Sequence, residues 1–160
     1  MRLGWLLVLL TLAHLTCFAY RPILAGGADS VDPVLLLLIW LALTDRPRRV
    51  AVMLLLVALL RIAGGVAGPV ETLVPILAAI GTVRLLRGWI DPYDHRKRFG
   101  VVLPAITVAH LAHRWILTTP LEGGLLPFSG GLLLATLSAL MLFPILDLAT
   151  PLLRSARYPM

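Results

Sequence analysis

Seven polar residues lie where a chain this apolar has little room for them: Arg61, Glu71, Arg84, His110, His113, Arg114 and Asp147. His110 and His113 are three apart, so on a helix they share a face. That spacing can supply two metal ligands, but a metal site needs a third or fourth donor. Cys17 lies in the first apolar run, His14 is remote and His95 falls in a polar stretch, so no ligand set closes and no cofactor is expected. Hydrogen bonding inside a bundle, or polarity near its outer face, is the expected role of the pair. Covalent catalysis needs a serine or cysteine with a base within reach. The apolar runs hold few serines, no paired carboxylates and no glycine loop ahead of a lysine to cradle phosphate. The chain is therefore expected not to be an enzyme.

The elements that carry these residues follow from composition. The chain of 160 residues is 59% hydrophobic and 14% charged, with a mean hydropathy of +0.95. Soluble domains carry about 25% charged residues, and a membrane-spanning helix needs roughly 20 mostly apolar ones. Six apolar segments, 3–24, 33–44, 50–66, 70–86, 99–118 and 128–153, leave no room for a separate soluble domain. The expectation is one polytopic transmembrane domain over residues 1–160, an all-α bundle of about six helices. A formal charge of +6 raises the question of nucleic acid. The basic residues, however, cluster at the ends of apolar segments, so the lipid bilayer with its anionic headgroups is the expected partner and nucleic acid is not.

Met1-Arg2 ahead of an apolar run resembles a signal peptide. The run is long for one, and the nearest small-residue site is Ala25-Gly26-Gly27-Ala28, so a retained first helix is expected. Asp32-Pro33 opens the second segment, where proline suits a first helical turn. At 33–44 that segment is short for a span, so it is expected to tilt inward or to sit in a thinned region. Asp45 to Arg49 forms a tight basic turn. Gly64-Gly65 and Gly68-Pro69 form another, and Gly64-x-x-x-Gly68, although a small-xxx-small pattern, spans it. A polar stretch runs from Arg87 to Arg98, and Pro144 is the expected kink in the last helix. Trp5, Trp40, Trp89 and Trp115 lie near segment ends and read as interface-belt residues. The connections after the second and fourth segments and the tail are basic, and those between are not. Six alternating spans with both termini cytoplasmic account for that bias.

Depth can then be reckoned at about 1.5 Å per residue. Arg61 falls inside 50–66, where a charge near mid-bilayer costs roughly 2.5 to 3.5 kcal/mol and so faces protein or water. With no acid at its own depth, it is expected to snorkel outward toward Glu71 or a backbone carbonyl. Glu71 and Arg114 match in depth near the outer face and are expected to pair or share a polar pocket. Arg84 and Asp147 match near the inner face. Contact with headgroups is the other reading for Arg84, Asp147 and Arg114.

Taken together, the chain resembles MreD, the small polytopic subunit of the bacterial rod-shape and cell-elongation machinery. The resemblance covers nearly the whole chain and rests on its length, its five to six spans and four local features. Asp32-Pro33 opens the second segment, near where the family commonly shows a Pro-Asp pair. The basic turn Arg46 to Arg49 follows. The glycine-containing turn Gly64 to Pro69 leads into a helix closing on Arg84 and Arg87. The last helix ends in apolar residues with Pro144 and a short basic tail. Arg61 stands where members often carry an acidic residue, and no binding site is carried over. The resemblance implies a scaffold in the bacterial inner membrane. Its partners would be an MreC-like single-span protein, the elongation transpeptidase and a RodA-like glycosyltransferase, linked to cytoplasmic MreB filaments. The implied fold is similar to the substrate-binding subunits of energy-coupling-factor vitamin transporters. That similarity supplies the alternative function, a small-molecule-binding transporter subunit. The short outer loops, mostly Gly, Pro and Leu, favour the scaffold. A small membrane assembly factor without a ligand is a third reading.

Overall fold

A computed structural model describes residues 4, 7, 8, 10, 11, 15, 32–63, 68–90, 94–116 and 125–153. Among them there is no strand. Five helices follow one another: α1 (Pro33–Thr44), α2 (Pro47–Ala63), α3 (Pro69–Arg87), α4 (His95–Ile116) and α5 (Leu125–Leu153). The first apolar segment, 3–24, lies mostly outside the described residues; its described positions are helical, and Leu10 is buried in the core.

α1 is bounded by local chemistry. Pro33 occupies the first turn, and the Asp32 carboxylate accepts from Val34 N at 3.0 Å and Leu35 N at 3.2 Å. Two of the amides that a helix start leaves unpaired are thereby satisfied. At the other end Asp45 N donates to Leu41 O at 2.8 Å, and Pro47 begins the next helix after only Asp45 and Arg46. Every residue from Val34 to Leu43 is buried. A helix apolar all round belongs in an interior. Twelve residues make a helix of about 18 Å, well short of the roughly 30 Å hydrocarbon core of a bilayer. Enclosure by neighbouring helices is how this short helix is accommodated.

The remaining helices bury stripes rather than whole circumferences. α3 buries Thr72, Pro75, Ile76, Ala79 and Val83. α4 buries Arg98, Val101, Val102, Ala105, Ile106, Ala109, His110 and Arg114. Both sets recur at three- and four-residue steps. α3 and α4 form the most extensive helix pair, where Ala79, Ala105 and Ala109 keep the buried faces small. Small residues let helix backbones approach closely when apolar burial against lipid gives little drive. α1 packs on α3 and α2, and α2 on α3. α5 runs unbroken through Pro144 and packs on α4, burying Gly131, Ala135, Ala139, Phe143 and Leu146.

Three helices are long and apolar enough to cross a membrane: α3, α4 over Lys97–Ile116 and α5 over Phe128–Leu148. They leave Leu85, Leu111, Leu133, Met141 and Leu148 among many exposed apolar side chains, as lipid-facing surfaces do. The chain is a helical membrane protein with three such helices among the described residues, where sequence alone led to an expectation of six. The short links at 45–46 and 88–94 bring the C-termini of α1 and α3 and the N-termini of α2 and α4 to one end. That end carries Arg46 of the first link and, on the adjoining helix ends, Arg48, Arg49, Arg84, Arg87 and Arg98.

Ala105 is fully buried. Ala105→Leu should overpack the core and lower stability by about 1 to 3 kcal/mol, read as a reduced melting temperature in detergent. An unchanged melting temperature would mean that the core is looser than its burial indicates.

Candidate functional site

The polar side chains collect at the two ends of α1. At its N-terminus, the Asp32 carboxylate divides its work. One oxygen caps the helix, and the other accepts from Arg61 Nη2 at 2.5 Å. The two side chains are 17% and 26% exposed for Arg61 and Asp32 respectively. Arg61 is not mid-span, as its place in 50–66 led one to expect. α2 ends at Ala63, which puts Arg61 in the last turn. Its ion pair is with Asp32, not with Glu71. Glu71 is occupied at its own helix start, where its Oε2 accepts from Gly68 N at 3.0 Å. Burial pushes the Asp32 carboxyl up. The Arg61 guanidinium, through charge and hydrogen bonding, and the amides of Leu35 and Val34 outweigh that and hold it below its ordinary value.

The expected Glu71–Arg114 pair is absent from the ion pairs of the described residues. Arg114 is buried, with its guanidinium carbon 4.8 Å from the centre of the Phe128 ring of α5. His110, one turn earlier on α4, meets the same ring edge-on, with centroids 6.4 Å apart and planes at 74°. A cation over an aromatic face gains most where water is excluded. His110 is buried and His113 half-buried. Among the described residues no three His, Cys, Asp or Glu side chains converge as a metal site.

The other end of α1 is held by three arginines from two helices. Arg87 Nη1 donates to Ala42 O at 3.2 Å and to Asp45 O at 3.0 Å, and Arg84 Nη2 reaches Asp45 O at 3.4 Å. The last carbonyls of a helix lack internal partners and carry the negative end of its dipole, so cations are favoured there. The Asp45 carboxylate accepts from Arg46 N at 2.7 Å and pairs with Arg49 at 3.4 Å. Asp147 does not pair with Arg84 despite their matched depth. One of its oxygens accepts from Trp40 Nε1 at 3.0 Å, and the other accepts from Arg98 Nη1. The Arg98 side chain is only 4% exposed. The triad joins α1, α4 and α5, so one carboxylate ties together helices distant in sequence.

Four participants escaped sequence reasoning. Asp32 and Asp45 read as a helix start and a loop, and Arg98 as the end of a loop because α4 was expected to begin at Phe99. The buried stripe of α4, extended one turn back from Val101 and Val102, reaches Arg98 and was the available signal. Trp40 is fully buried rather than in an interface belt; Trp89 and Trp115 are 88% and 82% exposed, and Trp5 lies outside the described residues. A crevice among Leu10, Leu37, Leu38, Leu41 and Met53 is apolar and has no room for a water molecule. The arrangement braces helices against one another; no nucleophile and base meet in it. These features mark a polytopic helical membrane protein built around a charge-capped buried helix. No family model, curated protein or solved structure matches the chain.

Asp147→Asn should cost about 3 to 5 kcal/mol, because it removes the charge facing a buried guanidinium. The joint replacement Arg98→Met with Asp147→Leu should cost much less. A double-mutant cycle of Arg98→Met, Asp147→Leu and their combination, read by thermal unfolding beside Asp147→Asn, checks this, and an acid replacement no costlier alone than in the joint variant would show the two uncoupled. Asp32 gives a pH signature. Its carboxyl is held below the ordinary value, so its contribution is complete above the unfolded value, about 3.9, and is lost as pH falls through the lower folded value. Asp32→Asn should lower stability at neutral pH and flatten that acid limb in a series of melts; a parallel limb would assign it to other carboxylates.

Proposed function

We propose that this protein is a non-enzymatic membrane scaffold of the MreD kind, coupling cytoskeletal filaments to peptidoglycan synthesis in bacterial cell elongation. In this reading it crosses the inner membrane six times with both termini cytoplasmic, in a fold similar to the energy-coupling-factor substrate-binding subunits. Its partners are an MreC-like single-span protein, the elongation transpeptidase and a RodA-like glycosyltransferase. The observation that carries the reading is that the described interior charges are directed at the bundle's own helices. Arg61 meets Asp32, Arg98 and Trp40 meet Asp147, and Arg84 and Arg87 meet the end of α1. Such charges serve architecture, which leaves recognition to the outer surfaces of the helices. The dry apolar crevice beside α1 likewise favours a scaffold over a binder of polar small molecules.

The test is in-cell cross-linking followed by gentle solubilisation, tagged capture and mass spectrometry. Recovery of a single-span coiled-coil protein with cell-wall synthases is the expected outcome. Recovery of ATPase subunits with a membrane coupling protein would overturn it in favour of a transporter subunit.

A further inference from the structure

The N-terminal end of α2 carries charge that the bundle does not use. Arg46 and Arg48 are exposed, and among the described residues no acid or carbonyl takes either guanidinium. The nearby carboxylate of Asp45 is engaged by Arg46 N and by Arg49. Arg48 also begins a stripe. Val52, Leu55 and Leu59 follow it at four-, seven- and eleven-residue offsets, on the same side of the helix, and are 53%, 60% and 59% exposed. From Arg48 to Leu59 is about 16 Å along the axis at 1.5 Å per residue. One leaflet, half of a roughly 30 Å hydrocarbon core, has nearly that depth.

We propose that this stripe and the two arginines form a site for one anionic phospholipid, its phosphate on Arg46 and Arg48 and an acyl chain along Val52, Leu55 and Leu59. The planar guanidinium matches a phosphate in a bidentate way, and basic residues at this level of a membrane protein favour anionic over zwitterionic headgroups. A water-soluble anion would use the arginines but not the apolar stripe beside them, which is why the lipid is the occupant that fits both. The site stands independently of the scaffold reading, because it draws only on α2 and its approach.

The protein would be reconstituted in vesicles of equal parts phosphatidylglycerol and phosphatidylcholine, re-extracted in mild detergent, and its retained lipid measured by native mass spectrometry. Retained phosphatidylglycerol should exceed phosphatidylcholine. Arg48→Gln should lower that ratio about five-fold, the factor a single basic residue contributes near an anionic surface, and Arg46→Gln should lower it similarly. Lys97→Gln is the control. It removes the same charge at the same end, but Lys97 is exposed and faces Asp94 at 3.4 Å, so the ratio should hold. Equal loss in all three variants would mean diffuse attraction and overturn the site, as would an unchanged ratio in both arginine variants.

Discussion

A helix buried along its whole length has two ends with only limited access to water, and this bundle is organised around satisfying them. α1 cannot leave its first amides and last carbonyls bare without losing several kcal/mol for each unsatisfied group. Its own sequence supplies only Asp32 and Asp45. The rest comes from elsewhere: Arg61 of α2 neutralises the capping carboxylate, and Arg84 and Arg87 of α3 take the terminal carbonyls. The signs suit the helix dipole, with an acid at the positive end and cations at the negative end. Two neighbouring helices are thereby fixed in axial position against α1, one at each end.

The Trp40–Asp147–Arg98 contact adds a lateral brace. Burying an ion pair contributes little net stability, since desolvation offsets much of the attraction. What it does is penalise other arrangements. If α5 slid or rotated against α4, it would separate Asp147 from a guanidinium that is nearly inaccessible to solvent. The small residues Gly131, Ala135 and Ala139 permit a close approach of α5, and a contact between small side chains has little directional content by itself. The carboxylate supplies that direction.

The exterior is consistent with this inward use of charge. Apolar side chains cover the outer faces of α2, α3 and α5, while exposed arginines collect at one end. A bundle whose interior charges are committed to its own helices has its surfaces and ends left for recognition. The proposed scaffold role draws on that division, and the proposed lipid site draws on the exposed arginines and apolar stripe of α2 alone.

Sequence by itself determined what is local or compositional. The bounds of α1, residues 33–44, were legible because Asp-Pro at the start and Asp-Arg-Pro at the end act on the backbone within a few bonds. The membrane class was legible from hydropathy, and the need of Arg61 for a protein partner from the cost of a charge among apolar neighbours. The partners of the charges were not legible. A rise of 1.5 Å per residue orders side chains along an axis, so Arg84 and Asp147, or Glu71 and Arg114, could be matched in depth. It carries no information on which helices are adjacent or which way each is rotated. Those were decided by the close packing of α3 on α4, which turned Arg98 and Arg114 inward, and by the enclosure of α1, which buried Trp40 within reach of Asp147. The early start of α4 at His95 completed the change, since one additional turn converts Arg98 from a loop residue into part of the core.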